Sequence, residues 1–167
     1  MSQRGEALAR GVESCKNLLG RYLAGFTDET RTAQPPGLPN HVAWSLGHLA
    51  LTMHRIREKF GEAPPGAPDF GAGGFDPESV AFGSVPRADS SSYPPLSRCI
   101  EVYDRACDQL ATAVRDASDE SLDRKIPWGP VEITLEAAVS RMVFHNGMHT
   151  GQIADTRRAL GMKSIFA

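Results

Sequence analysis

The stretch "RMVFHNGMHTGQI", Arg141 to Ile153, sets His145 and His149 four residues apart inside a helical pattern. Residues i and i+4 project from one side of a helix about one turn apart, so both imidazoles can converge on a single divalent ion at roughly 2.0–2.2 Å. In alternating steps of three and four, the seam runs Leu135, Ala138, Met142, His145, His149, Gln152, Thr156, Ala159, which reads as the core-facing stripe. Thr150, Arg157 and Arg158 fall mostly away from it. Two imidazoles therefore stand where a bundle would normally carry Leu. Burying an imidazole without partners for both ring nitrogens costs on the order of a few kcal/mol. Either hydrogen bonds within the core or a bound metal offsets that cost. Asn146 occupies the place of the general-base Glu in the zinc-protease pattern, which disfavours a metalloprotease.

A third ligand from another helix would separate the two readings. The stretch "NHVAWSLGHLALTMHRI" offers His41, His48 and His54. Its main apolar stripe is Val42, Leu46, Leu49, Met53 and Phe60, with His48 about a quarter turn off the edge, beside Ser45 and Thr52. His41 lies on nearly the same face about two turns away, so both cannot reach one ion, and His54 points elsewhere. Gly47 costs about 1 kcal/mol against Ala inside a helix and is tolerated best where another helix or a ligand must come close. Pattern alone favours His48 over His54 and leaves His41 open.

Four stretches carry the helical period: Arg4 to Gly25, Asn40 to Phe60, Pro95 to Ala117 and Thr134 to Leu160. Prolines in "TAQPPGLPN" forbid continuation of the first, and Asn40 is the expected N-cap of the second. Thr134 is expected to cap the last helix, with Ile133 and Ala138 as a hydrophobic staple, and Gly161 to end it in a left-handed turn. The strand signal is weak, and "DASDESLDRKIPWGPVEI" reads as a short turn or extended segment. Gly61 to Pro95 is far longer than an ordinary helix connection. Phe70, Phe75, Phe82 and Tyr93 are expected to anchor it to the bundle, as a crossover strap or as a wall over a site. "GAGGF" is no phosphate loop, lacking the Lys and the strand-then-helix context.

At 167 residues with 41% hydrophobic residues, the chain is expected to form one domain over 1–167. A formal net charge of -2, with Lys and Arg scattered, argues against a nucleic-acid partner. No stretch is long and apolar enough to span a bilayer, and the N-terminus lacks a signal-peptide core, so a cytoplasmic location is expected. Cys15, Cys99 and Cys107 are expected to be reduced and mostly buried, the last two sitting too far apart on one helix to bridge.

"WSLGHLA" in the second helix and "HNGMHTGQIADTRRALG" in the last together resemble the DinB-like (DinB/YfiT) superfamily of small four-helix metalloproteins. The likeness covers most of the chain in layout, with these two stretches specific. It implies an all-α, left-handed four-helix bundle with a long loop between helices 2 and 3, often assembled as a homodimer. It also implies a three-histidine metal site, which falls on His48, His145 and His149 and selects His48 over His41. Zinc or nickel is the expected ion, ahead of manganese or iron. Three imidazoles leave an open coordination position, the arrangement of a catalytic site. The family's thiol-dependent members imply transfer of a low-molecular-weight thiol to a small electrophile. Metal-dependent hydrolysis and a non-catalytic, stress-related metal-binding module are the alternatives. Gln152, Arg141, Asn40 and Arg55 read as supporting or bundle-end polar groups, with orientation of an anionic thiol or substrate as their second reading. Trp44 carries the same two readings with core packing weighing more, and Asp155 reads as a surface charge.

Overall fold

Ser2 opens α1 (Gln3–Tyr22) by accepting the backbone N–H groups of Arg4 and Gly5 on its hydroxyl. The structure is a computed structural model that describes residues 2–61 and 74–166. After α1 come α2 (Val42–Arg57), α3 (Leu96–Asp116), a short α4 (Asp119–Asp123), a hairpin of β1 (Lys125–Trp128) and β2 (Val131–Thr134), and α5 (Leu135–Ala159). The hairpin turns at Gly129, whose φ of 58° is the left-handed conformation that glycine adopts without strain. Its four-residue antiparallel strands pair Lys125 with Thr134 and Trp128 with Val131. The long helices match the expected periods within a few residues.

Side-chain pairs give the direction of each helix. Lys16 pairs with Asp108, and Arg115 reaches Glu6 at 2.8 Å and Glu13 at 2.7 Å, so α1 and α3 run antiparallel. Arg4 pairs with Glu136, and Arg157 donates to the Tyr22 carbonyl at 3.1 Å, so α1 and α5 run parallel. Asn40 meets Gln152 and His48 meets His145, which makes α2 antiparallel to α5. The neighbours α2 and α3 are therefore parallel, with Cys107 Sγ 3.6 Å from Met53 Sδ between them. A parallel neighbour needs a connection that returns along the bundle, about 24 Å for the 16 residues of α2. That requirement is the physical reason for the long segment between them.

The described part of that segment, residues 74–95, covers the side of α2 left open by α3 and α5, and every residue from His41 to Leu51 is buried. A helix buried on all sides is apolar on all sides, which explains why α2 lacks a clean amphipathic stripe. Phe75, Val80 and Tyr93 anchor the strap in the core. Phe82, expected as a further anchor, is 92% exposed instead: the turn closed by Ser84 N–H on the Ala81 carbonyl at 3.0 Å tips it outward. The anchor expected at Phe70 lies outside the described residues.

Two helix-end expectations hold: Thr134 accepts from Ala137 N–H at 3.1 Å, and Gly161 adopts φ 71°. The N-cap of α2 is a correction. His41, not Asn40, takes the extended cap conformation and accepts from Trp44 N–H at 3.1 Å through Nδ1. Asn40 is drawn away to Gln152 Oε1 at 2.9 Å. Arg157 is also buried rather than turned outward, because its guanidinium gathers the carbonyls of Tyr22, Ala24 and Lys163 where α1 ends. Ala159, last of the seam, is exposed as the helix runs past the core. The three cysteines are free, with Cys99 and Cys107 buried and Cys15 partly so. Among the described residues, no helix is long and apolar enough to cross a membrane.

Candidate metal centre

The antiparallel pairing of α2 with α5 sets His48 opposite His145 and His149. His145 Nε2 lies 3.2 Å from His48 Nε2 and 3.0 Å from His149 Nε2. One ligand atom from each ring lies within 4.8 Å of the other two, and no other such cluster of histidine, cysteine or carboxylate groups occurs among the described residues. His48 and His149 are buried while His145 is partly exposed, so the cluster meets solvent on the His145 side.

Proton bookkeeping shows what this convergence can accommodate. His48 Nδ1 donates to the Val80 carbonyl at 2.7 Å, which leaves the Nε2 lone pair of the neutral ring facing inward. His145 Nε2 meets two such atoms at once, and one proton there cannot serve both contacts along its axis. A cation does serve all of them, turning three converging lone pairs into ligands. The rings are also in the ligating form at neutral pH. Burial pushes His145 down to about 4, helped by repulsion from His48. It pushes His149 down to about 3, with repulsion from His145 and His48 adding to it. Burial lowers His48 too, against the pull of the Val80 carbonyl, and the nearby charge of Arg55 adds to the lowering. The residues present fit a divalent ion.

The three rings differ in how they are held. His48 is gripped at its edge by Val80 and on its face by Trp44, whose indole stacks on it with centroids 4.6 Å apart and planes 11° apart. The Trp44 indole N–H donates to the Ser79 carbonyl at 3.1 Å and to Ser84 Oγ at 3.0 Å, both in the strap. By contrast, the Nδ1 atoms of His145 and His149 are shielded from solvent and have no hydrogen-bond partner among the described residues. Gln152, held by Asn40, lies against His149 and favours its charged form without reaching hydrogen-bond geometry at Nδ1.

Comparison with known proteins adds to the geometry. The family model described as the DinB superfamily matches residues 12–153, most of the chain. The chain belongs to the DinB superfamily. Among solved structures it is similar to a conserved protein of Enterococcus faecalis, at TM-score 0.77 and 16% identity, over 95% of this chain and 98% of that one. It is also similar to YfiT from Bacillus subtilis, described as a probable metal-dependent hydrolase with an unusual four-helix bundle topology, at TM-score 0.65 and 19% identity, over 98% and 91% of the two chains. At identities this low the likeness shows a shared fold alone. None of the curated proteins matches the chain.

Within this DinB fold the other candidates fall into place. His41 spends both ring nitrogens on structure, Nδ1 as the cap of α2 and Nε2 donating to the Arg87 carbonyl at 3.0 Å, and so takes no part in the cluster. His54 faces Glu58, 3.5 Å away. Asn146 is buried and accepts from the Tyr103 hydroxyl at 2.9 Å while donating to the Met142 carbonyl at 2.9 Å. It is a bond across the core, not a base. Arg141, exposed one turn before His145, lies over the Trp128 ring at 5.4 Å. Asp155 is on the surface, paired with Arg158. Gly47 admits the strap rather than another helix: a Cβ there would lie 2.5 Å from Phe75 Cε1. A separate groove along α3, lined by Ile100, Asp104 and Gln109 with Phe60, contains none of the three histidines.

Sequence reasoning missed Val80 and gave Trp44 chiefly to core packing. A backbone carbonyl leaves no mark in side-chain identity, and a tryptophan on a buried helix reads as core. The one available signal was Gly47, whose missing side chain marks where the strap comes close.

Proposed function

We propose that this chain is a divalent-metal-dependent enzyme whose ion is held by Nε2 of His48, His145 and His149. Its reaction is transfer of a low-molecular-weight thiol to a small electrophile. The observation that carries this reading is the convergence of three neutral imidazoles from two helices, with His145 partly exposed. A zinc- or nickel-type ion, with manganese and iron also accepting imidazole, supplies Lewis acidity and lowers the pKa of a nucleophile taken at the open position. Trp44 and the strap exclude water from the His48 side. The partly exposed His145 marks the path of the substrate, with Arg141 one turn away to attract an anionic group. The cluster contains no carboxylate, and Asn146 is committed to Tyr103. Transfer of a thiol, whose acidity the ion itself raises, asks for no separate protein base.

Hydrolysis is the second reading, favoured by the description of YfiT as a probable metal-dependent hydrolase. A binding module in which the ion only stabilises the bundle is the third. The protein loaded with zinc or nickel, given cysteine and monochlorobimane, distinguishes them. Adduct formation above the spontaneous rate, abolished by chelation and restored by metal, supports transfer. Thiol-independent turnover of an activated ester supports hydrolysis. If neither occurs and chelation lowers only the melting temperature, the binding module is supported.

The proposal includes a cytoplasmic location, in keeping with three free thiols. It also includes a homodimer. Leu18, Phe144 and Met148 are exposed apolar side chains on α1 and α5, and sedimentation of a Phe144→Asp variant tests whether a second copy covers them.

A further inference from the structure

We infer that Trp44 is a positioning residue of the metal centre, and that the strap between α2 and α3 is coupled through it to the ion, each stabilising the other's placement. The inference rests on the ligand set proposed above and adds to it a means of aiming one ligand.

His41, Trp44 and His48 follow one another at intervals of three and four along α2, so their rings line the side that the strap covers. Each presents a ring N–H to a strap acceptor. His41 Nε2 donates to Arg87 O at 3.0 Å, Trp44 Nε1 to Ser79 O at 3.1 Å and to Ser84 Oγ at 3.0 Å, and His48 Nδ1 to Val80 O at 2.7 Å. Ser84 Oγ in turn donates to Ser79 O at 3.0 Å, closing the turn around the indole N–H. Ser79 and Val80 are consecutive. The residue that holds Trp44 and the residue that holds His48 therefore move as one.

A histidine ring on a fixed backbone has two soft torsions, and the second sets where Nε2 points. The Val80 carbonyl restrains that torsion at the ring edge, and the Trp44 indole, stacked 11° from parallel, restrains it at the ring face. The other two ligands have no hydrogen bond at Nδ1, although Gln152 lies against His149. His48 is thus the preset member of the triad, and the strap is what presets it. An ion that binds only when Nε2 is aimed inward favours the docked strap, and a docked strap favours the ion by the same factor.

The test uses the full chain and zinc. Zinc affinity is measured by competition with a chromophoric chelator, and amide hydrogen exchange is followed across residues 77–87 with and without zinc. Trp44→Phe keeps a ring against His48 and loses the indole N–H; Trp44→Leu loses both. Loss of an outer partner of a metal ligand typically weakens binding by about 10–100-fold. Trp44→Phe is expected near the lower figure and Trp44→Leu near the upper one. Zinc is expected to slow exchange at residues 77–87 in the unaltered chain, and to slow it less in both variants. A merely structural tryptophan would shift the melting temperature and leave these two readouts alone. Affinities within about twofold of the unaltered chain in both variants overturn the inference, as does strap exchange that is blind to zinc. If Trp44→Leu does not fold, Trp44→Phe and the unaltered chain decide the outcome. Zinc uptake with a zinc-blind strap overturns this inference alone. No zinc uptake by the unaltered chain overturns it together with the ligand set.

Discussion

His41 works only as a neutral ring, since Nδ1 must accept from Trp44 N–H while Nε2 donates to Arg87. Burial pushes its pKa from 6.5 down to about 4, so between those values the unfolded chain binds more protons than the folded one. The stability that depends on the neutral ring is fully present above pH 6.5 and is lost as the pH falls toward about 4. Urea melts of the metal-free protein should show this decline, and His41→Asn, which keeps a good cap without the titrating ring, should show a shallower one. Gly47→Ala tests the closest approach of the strap. Overpacking costs typically 1–3 kcal/mol and the gain in helix propensity is about 1 kcal/mol. A net loss of about 1 kcal/mol is expected by urea melt, and a gain would show that Phe75 yields freely. At this scale the shared face of His145 and His149 was legible from their spacing of four on an apolar seam, which by itself left core hydrogen bonding and metal binding both open. His41 was not, because its cap role depends on where the strap puts Arg87.

At the level of elements, Tyr103 and Asn146 tie α3 to α5 across the bundle core, between helices on opposite corners. Tyr103→Phe leaves the buried Asn146 Oδ1 without its donor, and an unsatisfied buried group costs about 1–3 kcal/mol. A drop of that size in urea stability is expected, and no drop would mean that water replaces the hydroxyl. The long helices were legible because their ends carry local signals, Thr134 and Gly161 above all. The hairpin was legible only as an interruption, since four residues per strand are too few to set a period against Pro127 and Gly129. The strap was recognised by length, while its anchors were half legible. Phe75 and Tyr93 point inward and Phe82 does not, a difference set by one turn rather than by residue type.

For the whole molecule, parallel α2 and α3 make the long connection obligatory, and that connection walls one side of the cluster. Fold and site are therefore two consequences of a single topology. The four-helix layout and the family were legible from two motifs and the loop length, whereas helix directions follow from pairings that only packing reveals. An ion that binds the folded state alone adds about 2.7 kcal/mol at a hundredfold excess over its dissociation constant. For a chain of this size that is a rise of about 5–10 °C in melting temperature, reversed by a chelator. An unchanged melting temperature would mean that the ion is not bound by the fold. The most direct test of the central claim is X-ray absorption at the edge of the bound metal in the loaded protein. Three imidazole nitrogens at about 2.0–2.1 Å, reduced to two in His48→Ala, are the predicted result. A shell with the same number of imidazoles in His48→Ala as in the unaltered chain would contradict it.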